Sequence, residues 1–230
     1  MIFRKKVFGS NNRKIVFILT GWKTKIWHFG FVANILKRNG FQSIVYEYDK
    51  KILSSNTKET VKYLNEVKLD VINTINILKK RGIKDFNLFG TSLGTMLSLM
   101  VSDEIKDIKK IILNLTGADL AEIVWSWDKV SDTMIKRNLI KQKINLNKLK
   151  QLWYDLAPIN NLKMIGNQKL LIYLSETDEI IPYLQGTKLT NKLQQMNINF
   201  KLFTNNRSNH FFSGLINLLN YKKYLNFLLN

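Results

Sequence analysis

The chain has 230 residues, 45% of them hydrophobic and 11% aromatic, which suits one folded domain with a sizeable core and argues against disorder. It has no cysteine and only two histidines, so disulfides and thiolate chemistry are excluded and a zinc site has few ligands to draw on. The formal charge of +19 invites a nucleic-acid reading, but 30 of the 36 basic residues are lysine and they are spread along the whole chain. Arginine is the residue of bidentate phosphate and base recognition, and no aromatic-basic RNA motif or recognition-helix arrangement accompanies the charge. Generic solvated lysine, with nucleic acid not a partner, is the reading adopted.

In chain order, short apolar or β-branched runs alternate with helical periods. Residues 14–20 read as a strand ending at Gly21, and residues 41–48 as a second after the Asn39-Gly40 break. A helix over 57–80 follows, with Val61, Leu64, Val67, Val71, Ile75 and Leu78 at spacings of three and four. Asn56 and Glu59 form its start signal, and Lys79, Lys80, Arg81 and Gly82 its stop. Residues 86–89 are a strand running into Gly90-Thr91-Ser92-Leu93-Gly94 and then a small-residue helix. Gly-x-Ser-x-Gly between a strand and a helix is the outline of a nucleophile elbow, where glycines two positions either side of the apex let neighbouring backbone pack closely.

Further on, residues 110–116 read as a strand before Gly117, and residues 170–174 and 198–203 as two more, separated by a helix over 183–196. A final helix covers about 212–229. The alternation predicts an α/β fold with a mainly parallel central sheet flanked by helices. Residues 119–162 interrupt it, being too long for an ordinary connection, and carry Trp125, Trp127, a basic stretch over 135–150, Trp153 and Tyr154. They are expected to form a small helical cap within one domain of residues 1–230. No stretch reaches the roughly 18 apolar residues of a spanning helix, and the first nine residues lack the apolar core of a signal peptide, so a cytoplasmic location is expected.

A serine hydroxyl needs a base to take its proton and works best when a carboxylate orients that base. His210 follows the last predicted strand, and Asp178 follows the strand before it; in a parallel sheet both loops open on the same side as Ser92. Glu176, Glu179 and Asp119 are rivals for the acid, and Asp119 equally suits a helix cap. His28 reads as a structural or rim residue.

On these residues, with the Thr20-Gly21-Trp22 turn and the Asp178 to Ile181-Pro182 turn, nearly all of 10–230 resembles the α/β-hydrolase superfamily of serine hydrolases. The resemblance implies Ser92 as nucleophile, His210 as general base and acid, and Asp178 as orienting carboxylate. It implies backbone N–H groups of Leu93 and Trp22 as an oxyanion hole; many members carry His-Gly before the Trp22 position, and here Thr20-Gly21-Trp22-Lys23 replaces it. Leu93 opens a helix, so its N–H also sits at the positive end of the helix dipole. No cofactor or metal is implied. The expected activity is hydrolysis of a small-molecule carboxylic ester with an apolar acyl or alkyl group, bound by Trp125, Trp127, Trp153 and Tyr154. The same machinery serves lipases, thioesterases and acyltransferases, and the fold also hosts non-catalytic binding members. A lipid-acting variant would approach a membrane surface peripherally through Lys136, Lys141, Lys143, Lys148 and Lys150.

Overall fold

The computed structural model describes residues 2–127, 134–206 and 209–230. Its centre is a sheet of strands β1 (Phe3–Phe8), β2 (Lys14–Leu19), β3 (Phe41–Tyr48), β4 (Asp85–Thr91), β5 (Ile108–Asn114), β6 (Lys169–Ser175) and β7 (Phe200–Asn205). They lie in the order β1-β3-β2-β4-β5-β6-β7, and every pairing is parallel except that of β1 with β3. Helices cover both faces, which explains the continuous apolar runs: Ile15 to Leu19 are all fully buried.

One face packs against α2 (Thr57–Lys80) and α3 (Leu93–Ser102), the other against α1 (Gly30–Arg38) and α9 (Tyr221–Leu229). In α2 the periodic residues Leu64, Val67, Val71, Ile75 and Leu78 are buried, and the Asn56 side chain accepts a hydrogen bond from the Glu59 N–H at 3.2 Å. Helix α1 buries Val32, Ala33 and Leu36 and carries no start signal strong enough to predict it.

Strand β1 was not predicted. Its four central residues, Arg4, Lys5, Lys6 and Val7, are exposed, so it has no apolar run to read, and it is held instead by ladder pairing and by Arg4–Glu47 and Lys5–Asp70 ion pairs. The C-terminal helix expected over 212–229 is two helices, α8 (His210–Leu219) and α9, parted at Asn220. The last strand begins two residues later than expected, because Ile198 is still held by the turn after α7 (Tyr183–Gln195), donating to the Leu193 carbonyl at 2.9 Å.

Between β5 and β6 run α4 (Leu120–Trp125), α5 (Met134–Lys141), α6 (Leu146–Leu152) and two short 3-10 turns, Tyr154–Leu156 and Pro158–Asn160. Residues 128–133 of the expected cap lie outside the described residues. Glu122 of α4 joins this segment to α7: it accepts from Lys150 at 2.7 Å and from Lys188 and Gln185 at 2.6 Å each. Burial alone would raise the Glu122 carboxyl, but these three donors outweigh it and hold it at about 2, down from 4.5. A depressed carboxylate stabilises the fold above its unfolded value and loses that contribution as the pH falls through its folded value. Glu122→Gln is therefore expected to lower the melting temperature at pH 7 by about 2–4 °C. The gap to wild type should close between pH 4.5 and about 2 in a series of thermal melts.

Candidate active site

Ser92 sits at the apex between β4 and α3 with φ 52° and ψ −120°, a conformation that a non-glycine residue holds at a cost of about 1–3 kcal/mol. The surrounding structure enforces it. The Ser92 N–H donates to the Asn114 carbonyl at 2.9 Å, and its own carbonyl accepts from the N–H and the hydroxyl of Thr95 at 2.9 and 2.7 Å. A Cβ on Gly90 would lie 2.5 Å from the Gly94 carbonyl oxygen, and one on Gly94 only 1.8 Å from that of Leu19. Gly94→Ala is thus expected to destabilise the protein by more than about 4 kcal/mol, since the obstacle is central-strand backbone. Gly30→Ala, where a Cβ meets nothing within 4 Å, is the matched control and should melt no lower than wild type.

The structure brings Ser92, His210 and Asp178 together from three loops at the C-terminal ends of β4, β7 and β6. His210 Nε2 lies 3.0 Å from Ser92 Oγ, and His210 Nδ1 lies 2.7 and 2.9 Å from the two oxygens of Asp178. A carboxylate accepts only, so Nδ1 carries the proton there and Nε2 faces the serine as an acceptor. Asp178 is buried, and its Oδ1 also accepts from the N–H groups of Ile180 and Ile181 at 2.9 and 2.8 Å. Those bonds fix the carboxylate plane. His210 is fixed in turn by its place at the start of α8: Asn209 caps the helix, and the His210 N–H donates to Glu179 at 2.9 Å.

Two of the rival acids have other partners, and Glu176 makes no hydrogen bond to the His210 ring. Asp119 caps α4 through the N–H groups of Ala121 and Glu122. Glu179 holds His210 by its backbone and not by its ring, and His28 lies in a 3-10 turn with its ring stacked on Trp27.

Above Ser92 opens a cavity of about 180 Å³. It is lined by Ser92 and His210 together with Trp22, Leu53, Leu93, Met96, Leu120, Ile123, Trp127, Ile180 and Ile181. Leu93 is the first residue of α3, so its N–H has no carbonyl one turn back within the helix. Gly21 brings the turn after β2 close to the elbow: a Cβ there would be 3.3 Å from that of Ser92. Trp22 stacks on Trp127 with ring centres 5.9 Å apart, and the two indoles are anchored by donating to the carbonyls of Lys50 at 2.7 Å and Ile180 at 2.8 Å.

Of the four aromatics expected at the substrate, Trp127 lines the cavity. Trp153 is fully buried beneath the segment, reaching the Thr57 carbonyl at 3.4 Å; Trp125 is partly buried beside Lys136; Tyr154 is exposed. The apolar wall came from residues that sequence reading missed. Met96 alone had a usable signal, lying one turn beyond Leu93 on the helix that Ser92 begins. Leu53, Leu120 and Ile123 carry no mark that separates a cavity wall from a core.

Among the described residues no helix is long and apolar enough to cross a membrane. Two family models each match more than half of the chain: the prolyl oligopeptidase family over residues 65–230 and an acyl transferase family over residues 3–123. No curated protein sequence matches it. Among solved structures it is similar to a cold-adapted esterase from an Arctic intertidal metagenomic library, with 17% identity, 86% of this chain and 73% of that one covered, and a TM-score of 0.57. It is also similar to Est1E from Butyrivibrio proteoclasticus, seen with ferulic acid, at 14% identity over 99% and 95% of the chains with a TM-score of 0.65. A puromycin-hydrolyzing peptidase of Mycobacterium tuberculosis superposes with a TM-score of 0.67 at 14% identity, over 90% of this chain and 33% of that one. At such identities the structures speak for the fold, whereas the sequence models speak for kinship. The chain belongs to the prolyl oligopeptidase family, and with it to the α/β-hydrolase superfamily of serine hydrolases.

Proposed function

We propose that this hydrolase cleaves small carboxylic esters with a short apolar acyl group, through Ser92, His210 and Asp178. The observation that carries the reading is the continuous relay from Ser92 Oγ through His210 to the buried Asp178, opening into an apolar cavity. His210 Nε2 takes the hydroxyl proton as Ser92 attacks the carbonyl, and Asp178 stabilises the resulting imidazolium. The N–H groups of Leu93 and Trp22 receive the negative charge that develops on the carbonyl oxygen, where a single fixed donor is worth about 3 kcal/mol of barrier. His210 then gives its proton to the departing alcohol, and water, activated by the same nitrogen, releases the acid.

At about 180 Å³ the cavity lies below the roughly 300 Å³ of ordinary ligand pockets, which favours a short acyl chain over a long one. Residues 119–162 act as the cap of a single 1–230 domain, and Trp127, stacked on Trp22, closes the acyl end. Trp127→Ala should shift kcat/KM about tenfold from butanoyl toward octanoyl 4-nitrophenyl esters, read from a chain-length series. Unaltered selectivity would remove Trp127 from the acyl pocket.

The test of the reading is an alkyl fluorophosphonate probe: folded wild type should become covalently labelled at Ser92, and wild type that resists labelling overturns it. Offering alcohols, thioesters and amides in the same assay separates hydrolysis of esters from acyl transfer, thioesterase and peptidase activity. Recruitment to lipid through the basic stretch has weaker support, since Lys150 is already engaged with Glu122 and Asp119.

A further inference from the structure

Helix α8 is built inside out. Toward the sheet it turns Ser213, Gly214 and Asn217 with one apolar residue, Leu218, and the polar ones are held by hydrogen bonds: Ser213 Oγ donates to the Asn205 side chain at 3.0 Å and lies 2.9 Å from Ser175 Oγ. Asn217 donates to the Asn114 side chain at 2.8 Å, and that side chain donates to the Gly214 carbonyl at 3.2 Å. Toward solvent it turns Phe211, Phe212, Leu215, Ile216 and Leu219, which are 63, 55, 39, 49 and 55% exposed. A surface helix ordinarily buries its apolar stripe, and five large apolar side chains at spacings of one, three, one and three form a continuous outward stripe. Nothing in the hydrolytic mechanism uses it.

The surroundings are of one sign. From Ile180 to Asn230 the sequence has six Lys and Arg and no Asp or Glu. Lys201, Lys222 and Lys223 are exposed on the neighbouring strand and helix, and the Lys223 ammonium lies 4.1 Å from the ring centre of the half-exposed Phe203. The acidic residues at the His210 end of α8 are Glu176, Asp178 and Glu179, in the turn before Pro182; Asp178 is buried against the His210 ring and Glu179 is bonded to the His210 N–H. A second copy docked on this face about a two-fold axis would set lysines against lysines, and like charges so placed oppose association. An anionic lipid surface instead satisfies both features, taking the apolar stripe into the acyl boundary while the lysines meet head groups.

We propose that the outward face of α8 docks the protein peripherally on anionic lipid membranes. Because α8 starts at His210, docking sets the C-terminal edge of the sheet, and the opening above Ser92, next to the bilayer surface. The docking stands on the helix face and its charge, not on the ester reading, so the two fail separately.

The experiment is flotation of the full chain with vesicles of phosphatidylglycerol and phosphatidylcholine, against phosphatidylcholine alone. Wild type should bind the anionic vesicles at least tenfold more tightly than the neutral ones. The exposed triple variant Phe212→Gln/Ile216→Gln/Leu219→Gln should bind them at least tenfold more weakly, while keeping the wild-type melting temperature and fluorophosphonate labelling. Lys222→Gln/Lys223→Gln should weaken anionic binding severalfold and leave the behaviour with neutral vesicles unchanged. Labelled wild type that ignores anionic vesicles, or a triple variant that floats like wild type, overturns the docking face. So does a wild-type dimer in sedimentation equilibrium that the triple variant splits, if no vesicle binding accompanies it; the face then belongs to a second copy. Vesicle-inert wild type that binds an acidic protein through this stripe overturns it likewise. Vesicle binding by wild type that resists the probe leaves the docking intact and sinks the ester reading alone.

Discussion

Ser92→Ala is expected to lower kcat on a short-chain 4-nitrophenyl ester by about 10⁴–10⁶-fold and to abolish fluorophosphonate labelling. The loss is this large because the bond-forming oxygen is removed: Ser92 Oγ lies 3.0 Å from His210 Nε2, and no other hydroxyl among the described residues bonds to that nitrogen. KM should change little, because the cavity wall and both proposed oxyanion donors remain. Adding His210→Ala to Ser92→Ala should cost almost nothing further, since a base without its nucleophile has no proton to take. A Ser92→Ala protein that retains more than about a tenth of wild-type kcat would place the nucleophile elsewhere, against the scale of loss expected for a unit that acts together.

Asp178→Asn is expected to lower kcat by about 10³–10⁴-fold near neutral pH with the fold intact. The amide oxygen can keep accepting from the Ile180 and Ile181 N–H groups, so the turn survives. Its NH₂ then faces His210 Nδ1, which must become the acceptor, and the ring proton moves to Nε2, where it points at Ser92 and leaves no base. The check has two parts: kcat falls while the melting temperature stays within a few degrees of wild type. Glu179→Gln, one residue along, touches only the backbone N–H of His210 and should lose far less.

How much of this was legible beforehand varies by element, for physical reasons. Helix α2 and strands β4, β5 and β6 announced themselves because each buries a run or period of apolar residues. Strand β1 did not, since a strand at the sheet edge with its central residues exposed needs no apolar pattern. The break at Asn220 was hidden because α8 and α9 are both apolar, yet α9 buries Tyr224, Leu225, Phe227 and Leu228 while α8 buries Ser213, Gly214 and Asn217 with Leu218 alone of its large apolar residues. Composition cannot distinguish an apolar stripe that is buried from one that faces water. The same ambiguity governed the aromatics of 119–162: Trp127 reaches the cavity, whereas Trp153 is sealed into the core and Tyr154 lies in solvent.

By itself the sequence determined the class of fold, the elbow and the order in which Ser92, Asp178 and His210 follow strands β4, β6 and β7. Those are properties of local pattern: hydrophobic period, glycine at positions where backbone meets backbone, and residues placed just after a strand. Only the tertiary structure decided that His210 Nδ1 meets Asp178 and not Glu176, Glu179 or Asp119, which side chains wall the cavity, and that α8 faces outward with its apolar side. Such outcomes depend on helix phase and on how distant elements pack. A side chain's neighbours across the fold leave no local trace in the order of residues.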